Sequence, residues 1–519
     1  MTLLRSITTV GGLTLVSRVL GFLRDLLIAA VAGAGPVADS FFVAFKLPNL
    51  FRRLFAEGAF NAAFLPLFAG ALEQEGPAAA RAFAGHAVAV MLIVLIPFTV
   101  VMQATMPWVV PVLAPGFTER PEAFDMAVYF GRITFPYLML MALVALLSAV
   151  LNTFYRFWAA AAAPILLNVV MVASLVALTP VLPNAGHALA WGVAAAGIAQ
   201  FLWLAIACRR IDMLPSLPRP RLTPRMRRFG RLILPGAIGA GVVQLNLVVG
   251  TIFASLIPGA VSWLYYADRL NQLPLGVVGS AVGVALLPML SRQLRAGEAE
   301  RAMETQNRAI EFALVLTLPA AAALIAIPHA IVGALFERGA FTAADTAATA
   351  TALAAYAAGL PAYVLIKALQ PGFFAREDTR TPVLIAGGSM VLNAVLMPLL
   401  MWPLGHVGIA LATAISSWAN AAGLWVVLRR REALAIDRPL ARRAPRLVLC
   451  TLLMAGLLLL LDWLFAAFLA EGGAARLVAM AVMVAAGLAV YLALIQLTGA
   501  SDLGAILRRV RRRRAASAD

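Results

Sequence analysis

The stretch TLVSRVLGFLRDLL, residues 14–27, sets two arginines and an aspartate inside a segment otherwise built from leucine, valine and phenylalanine. Whether those charges interrupt a helix or line one side of it decides how the chain folds. At the angular step of a 3.6-residue turn, Arg24, Ser17, Gly21, Thr14, Asp25 and Arg18 fall within about 120° of one another, and Val19, Leu20, Leu23, Leu26 and Leu27 occupy the far side. The charges therefore share one third of a helix whose other face is apolar.

The rest of the chain says what surrounds that helix. Of 519 residues, 62% are hydrophobic and 13% charged, and the mean hydropathy is +0.91; soluble domains carry roughly 45–50% apolar and about 25% charged residues. Apolar stretches long enough to cross a hydrocarbon core of about 30 Å recur from end to end. The sequence predicts an all-α polytopic membrane protein with about fourteen spans, near 8–32, 37–68, 83–113, 124–150, 159–181, 187–208, 229–257, 261–290, 309–335, 344–372, 381–402, 406–428, 446–467 and 475–499. The alternating ten-residue segments of a membrane β-barrel do not occur in it. The amino-terminal segment has no uninterrupted apolar core before a small-residue cleavage site, so it is expected to be a retained helix and not a signal peptide. Cys208 and Cys450 match no metal or redox spacing and read as small hydrophobes.

Charge sets the expected orientation. With the amino terminus in the cytoplasm, and span-end residues counted with the adjoining connection, the even-numbered connections and both tails hold 30 of the 41 Lys and Arg, the odd-numbered connections hold three (Arg120, Arg338, Arg476) and eight lie within spans. Both termini are thus expected in the cytoplasm. The net charge of +17 follows from this bias, and the arginine-rich loops point to topology and anionic headgroups, with no nucleic-acid partner.

The two large basic loops also punctuate a duplication. GHALAWGVAAAGIAQFLWLAIACRR (186–210) echoes GHVGIALATAISSWANAAGLWVVLRRR (405–431), NAAFLPLF echoes VGVALLPML, and LLNVVMV echoes VLNAVLM, all at offsets of roughly 220 residues. Six helices per copy is an even number, so the copies share one membrane orientation and are related by a pseudo-two-fold along the membrane normal. The chain divides accordingly into a first lobe at 1–210 (spans 1–6), a basic linker at 211–228, a second lobe at 229–431 (spans 7–12), spans 13 and 14 within 432–499, and a basic cytoplasmic tail at 500–519. Two such lobes are a transporter architecture with a site near the midplane.

The eight basic residues within spans are Arg18, Arg24, Lys46, Arg52, Arg53, Arg132, Arg269 and Lys367. Each costs at least about 2.5 kcal/mol near the bilayer centre unless it is paired or faces water. Lys367 and Arg132 lie close enough to span ends to reach headgroups. On the second span Asp39, Lys46, Arg53 and Glu57 share a face, and Pro48 lets the helix rotate, so the wheel alone leaves Arg52 and Arg53 as alternatives. In the second lobe YYADR supplies Asp268 and Arg269, whereas the counterpart of the Arg52-Arg53-Glu57 cluster is the uncharged LPLGVVGS. An arginine-rich cavity suits an anion, because guanidinium bonds phosphate or carboxylate oxygens in pairs. That asymmetry disfavours a channel ring. His86, His187, His329 and His406 fall at helix ends or in loops, so no catalytic cluster forms and a membrane enzyme is disfavoured. With no phosphate loop, any driving force comes from an ion gradient, the membrane potential or consumption of product.

Residues 17–68, SRVLGFLRDLLIAAVAGAGPVADSFFVAFKLPNLFRRLFAEGAFNAAFLPLF, closely resemble the start of the MurJ (MviN) lipid II flippases, and VSWLYYADRLNQLPLGVVGSAVGVALLPMLS, APGF and PGFFAREDTRTPV resemble the same family. The resemblance implies the fourteen-helix fold of the multidrug/oligosaccharidyl-lipid/polysaccharide exporters. It also implies flipping of an undecaprenyl-diphosphate-linked peptidoglycan precursor from the inner to the outer leaflet of a bacterial cytoplasmic membrane, with lipid II, membrane lipids and the cell-wall synthesis machinery as partners. By motif it carries substrate-binding roles to Arg18, Arg24, Asp25, Arg52, Arg53 and Arg269, favouring Arg52 within its pair, and gating or orienting roles to Ser17, Asp39, Glu57 and Asp268. Spans 13 and 14 would hold the lipid tail in a groove. No resident cofactor is expected; some members of the family imply a cation site, for which Asn246, Ser389 and Asn393 are the candidates here, and coupling to a monovalent cation or the membrane potential. The rivals are export of another polyprenyl-diphosphate glycan and drug or cation antiport within the same superfamily.

Overall fold

The computed structural model describes residues 3–52, 60–219, 221 and 223–500, and among them the regular secondary structure is helical. The first repeat contributes α1 (Leu3–Ala32), α2 (Pro36–Arg52), α3 (Phe60–Leu113), α4 (Pro121–Thr134), α5 (Tyr137–Thr153), α6 (Phe157–Leu178) and α7 (Ala185–Arg209). The second contributes α8 (Pro224–Ser255), α9 (Ala260–Arg295), α10 (Ala299–Ala326), α11 (Pro328–Phe336), α12 (Ala343–Ala357), α13 (Leu360–Phe374), α14 (Arg380–Leu404) and α15 (His406–Arg430). After it come α16 (Arg438–Leu464), α17 (Ala466–Glu471) and α18 (Gly473–Leu497). In hydrocarbon the backbone must satisfy its own polar groups, and a helix does so within one segment. Among the described residues ten stretches are long and apolar enough to cross a membrane.

Helix boundaries depart from the predicted spans where proline or glycine acts. α3 runs from the last residues of predicted span two, starting at Phe60, through all of span three, bent at Gly76, whose φ of 85° lies in the region that favours glycine. The fourth predicted span is broken between α4 and α5 just before and at Pro136, and the tenth between α12 and α13 just before Pro361. These two breaks fall at corresponding places in the repeats; the ninth predicted span is also broken, between α10 and α11 before Pro328.

By its contacts the chain forms two compact units, one of Met1–Ser262 with Arg338–Thr342, the other of Trp263–Glu337 with Ala343–Asp519. In the first, α1 packs along α6, α6 along α7, α2 against α4, and α3 against α5 and α8. Thus α8, the opening helix of the second sequence repeat, packs with the first repeat. Phe60, Phe64 and Phe83 of α3 close around Phe229 of α8, with ring centroids 5.5–6.3 Å from it. In the second unit, α10 packs on α13 and α16, and α16 on α18. Glu311 of α10 accepts from Arg308 and from Arg443 of α16, and Arg308 also pairs with Asp437, the residue that caps α16 through Leu440 N. Both cysteines are free and buried. Outside the spans, hydrogen bonds from Thr381 and an ion pair with Arg431 hold the Asp378 carboxyl well below the usual carboxylate range.

One backbone approach is close enough to test. A Cβ on Gly116 would stand 2.1 Å from the Ser255 carbonyl oxygen, whereas nothing lies within 4 Å of one on Gly230. Gly116→Ala should therefore lower the thermal unfolding midpoint of the purified protein by an amount equivalent to about 1–3 kcal/mol of overpacking. Gly230→Ala, scanned beside it by tryptophan fluorescence, should not; equal midpoints for both variants would refute this packing.

Candidate functional site: the charges of α1, α2 and α9

The polar third of α1 meets α6. Arg24 and Asp25 are 6% and 2% exposed, so the pair is taken out of solvent together. Arg24 donates through Nε and Nη2 to Asp25 Oδ1, at 3.1 and 2.7 Å, and through Nη1 to Asn168 Oδ1 of α6 at 3.0 Å. Asn168 Nδ2 returns to α1, donating to the Ser17 carbonyl at 3.0 Å, and the Met171 sulfur lies 3.8 Å from Arg24 Nη1. Arg18, by contrast, is exposed, one turn and a half before Arg24. Ser17 is partly buried. On the apolar side, Leu15, Val19 and Leu23 are 47–64% exposed, as a lipid-facing stripe requires.

On α2, Asp39 is 1% exposed. Its Oδ2 accepts from Gly259 N at 2.9 Å, and its Oδ1 from Ser262 N at 2.9 Å and Ser262 Oγ at 2.6 Å. Three bonds to a turn and the start of α9 make Asp39 an anchor between α2 and the α8–α9 connection, all within the first unit. Beside it, Gly116 N donates to Ser255 Oγ, and Arg120 donates to the Gly116 and Ser255 carbonyls. Farther along α2, Lys46 donates to Thr251 Oγ1 of α8. Asn49 Nδ2 bonds the Phe45 carbonyl at 3.1 Å, and its Oδ1 accepts from Arg52 Nε at 3.2 Å, so Arg52 is braced from its own helix. Arg53 and Glu57 lie outside the described residues.

In the second unit the guanidinium of Arg269 lies over the Tyr265 ring, 5.0 Å from its centroid, and donates to the Tyr265 hydroxyl through Nε and Nη2 at 3.2 and 2.9 Å. A phenol orients an arginine without neutralising it. Asp268 accepts from Gln272 one turn on. Of the cation candidates, Ser389 donates to its own helix at Ile385 and Ala386, Asn393 is buried on α14, and the Asn246 side chain lies outside those described. Among the described residues no group of three or more His, Cys, Asp or Glu is gathered as a metal site.

Asn168, Thr251, Gly259, Ser262 and Tyr265 escaped sequence reasoning as site residues. Asn168 carried a signal, since it sits in the repeated LLNVVMV segment, and Tyr265 stands one turn before Arg269 on the same helix; Thr251, Gly259 and Ser262 reach their partners across more than two hundred residues, which no helical wheel encodes.

The family model described as "Lipid II flippase MurJ" matches residues 28–480. A Rhizobium meliloti (strain 1021) protein named as a probable lipid II flippase MurJ is 46% identical, over 100% of this chain and 98% of its own. A lipid II flippase MurJ of Burkholderia cenocepacia is 37% identical over 88% and 90%. Among solved structures, a lipid II flippase MurJ in an inward closed conformation matches with TM-score 0.78 at 23% identity, over 94% of this chain and 98% of that one. An inward-facing multidrug resistance MATE transporter of the MOP superfamily matches with TM-score 0.65 at 15% identity, over 80% and 95%. At these identities both structures bear on the fold alone.

The Asp39 anchor makes its own prediction. Asp39→Ala leaves two buried N–H groups and a hydroxyl without this acceptor, at about 1–3 kcal/mol per group. Its unfolding midpoint should fall well below that of the wild type, with Asp39→Asn, which keeps one acceptor oxygen, in between. A midpoint for Asp39→Ala equal to that of the wild type would sink the anchoring role.

Proposed function

The chain belongs to the lipid II flippase MurJ family, and on that premise we propose that it carries lipid II from the inner to the outer leaflet of the bacterial cytoplasmic membrane by alternating access. It is a multi-pass membrane transporter and not an enzyme. The full-length relatives carry the lipid II name at up to 46% identity, whereas the likeness to drug exporters is confined to the fold, so neither drug antiport nor another glycan is favoured.

The single observation that carries the mechanism is the buried Arg24–Asp25 pair inside a membrane helix. A charge pair placed there is expensive to desolvate and is a poor way to gain stability, so its retention points to use. The substrate carries a diphosphate and peptide carboxylates, and its undecaprenyl tail stays in lipid, along α16 and α18. Arg24, with Arg18 and Arg52 on the same repeat, and Arg269 on the other, are the groups that meet those anions in successive steps. Asp25 keeps Arg24 neutralised between cycles and yields it when the diphosphate arrives, since phosphate oxygens accept the same paired donors. Asp39, held by Gly259 and Ser262, secures the end of α2 while the cavity changes access. Both termini lie in the cytoplasm, where the basic loops also touch anionic lipid, and the driving force is the membrane potential or a monovalent cation gradient.

Arg24→Ala and Arg269→Ala should each insert normally yet fail to support growth of a bacterium depleted of its own lipid II flippase. Arg→Lys at either position should impair growth as well, because a single ammonium cannot reproduce the two-pronged bond. Full complementation by either alanine variant would overturn these assignments.

A further inference from the structure

We infer that Asn168 is a positioning residue for Arg24: a neutral bridge from α6 that fixes the guanidinium while leaving its positive charge to be shared between Asp25 and the anionic substrate. The inference rests on Arg24 being a substrate-binding group, as proposed above.

Asn168 lies midway along α6, a helix otherwise apolar but for Ser174, and it is 5% exposed. A buried amide in such surroundings is tolerated only when its polar atoms are bonded. Both are: Oδ1 accepts from Arg24 Nη1 at 3.0 Å and Nδ2 donates to the Ser17 carbonyl at 3.0 Å. One side chain thus ties the arginine to the backbone of its own helix two turns earlier. Gly21 faces it: a Cβ there would stand in ordinary contact with the amide, at 3.5 Å.

The chemistry of the bridge is specific. Asparagine is short enough to fit over Gly21, can donate at one end and accept at the other, and carries no charge. A carboxylate in its place would lose the donor to Ser17 and set a second negative charge beside Asp25. The added negative charge at the guanidinium would oppose an incoming diphosphate. A hydroxyl would be too short to reach both partners. The neutral amide therefore fixes direction without competing for charge, a division of labour that a purely space-filling residue does not need.

The test compares wild type, Asn168→Asp and Asn168→Gln in proteoliposomes, measuring initial lipid II flipping against lipid II content together with the thermal midpoint of each protein. Asn168→Asp should raise the half-saturating lipid II content by about tenfold, with the saturated rate and the midpoint changing little, because the added charge acts on substrate binding. Asn168→Gln, which keeps both polar functions, should stay within about threefold of wild type. Should Asn168→Asp fail to accumulate, Asn168→Ser, too short to reach both partners, tests the loss of the bridge itself, again with a raised half-saturation expected. The inference is overturned if wild type flips lipid II and Asn168→Asp, or Asn168→Ser in its place, shares its half-saturation, or loses activity only in proportion to a fallen midpoint. If wild type itself flips no lipid II in these vesicles, the flippase reading fails first and the role of Asn168 with it.

Discussion

A guanidinium inside a bilayer must be met by a counter-charge and by acceptors for its N–H groups, and that requirement at Arg24 organises the helices around it. Asp25 supplies the charge and Asn168 a further acceptor, which together allow a 30-residue helix to keep an arginine at 6% exposure. Because Asn168 belongs to α6, the pairing also decides which helix α1 lies against. The leucine and valine side of α1 is then left for lipid, and the helix is amphipathic in a sense peculiar to membranes: apolar outward, charged inward.

The charged residues divide into two kinds by what they bond. Asp39 accepts two backbone N–H groups and a hydroxyl, and Glu311 takes two arginines between α10 and α16. These hold helices together. Arg24, Arg52 and Arg269 are oriented instead by side chains close by: an adjacent carboxylate and an amide for the first, an asparagine for the second, a tyrosine ring and hydroxyl for the third. A guanidinium held in a set direction presents its paired N–H donors to phosphate or carboxylate oxygens, which is the use proposed for these arginines.

Much of this was legible in the sequence, for physical reasons that also mark where legibility stops. Hydrocarbon thickness and backbone satisfaction make spans readable from apolar runs, and the 3.6-residue period places Arg24 and Asp25 on one face with Ser17 and Gly21. The same wheel cannot say that Arg18, on that face too, lies exposed while Arg24 is buried; that depends on where α6 ends up. Nor could it show that α3 runs on as a bent helix through Gly76, or that Asp39 is satisfied by Gly259 and Ser262, more than two hundred residues away in sequence. Neutral partners such as Asn168 and Tyr265 are the hardest to foresee, since an amide or a phenol in an apolar run raises no charge penalty that would mark it.

Leaflet-resolved labelling of lipid II in cells after rapid inactivation of this protein reads the proposed substrate and its direction of transfer together. The outer-leaflet pool should stop filling while lipid II accumulates on the inner leaflet. Continued arrival of lipid II at the outer leaflet at an undiminished rate would contradict that proposal.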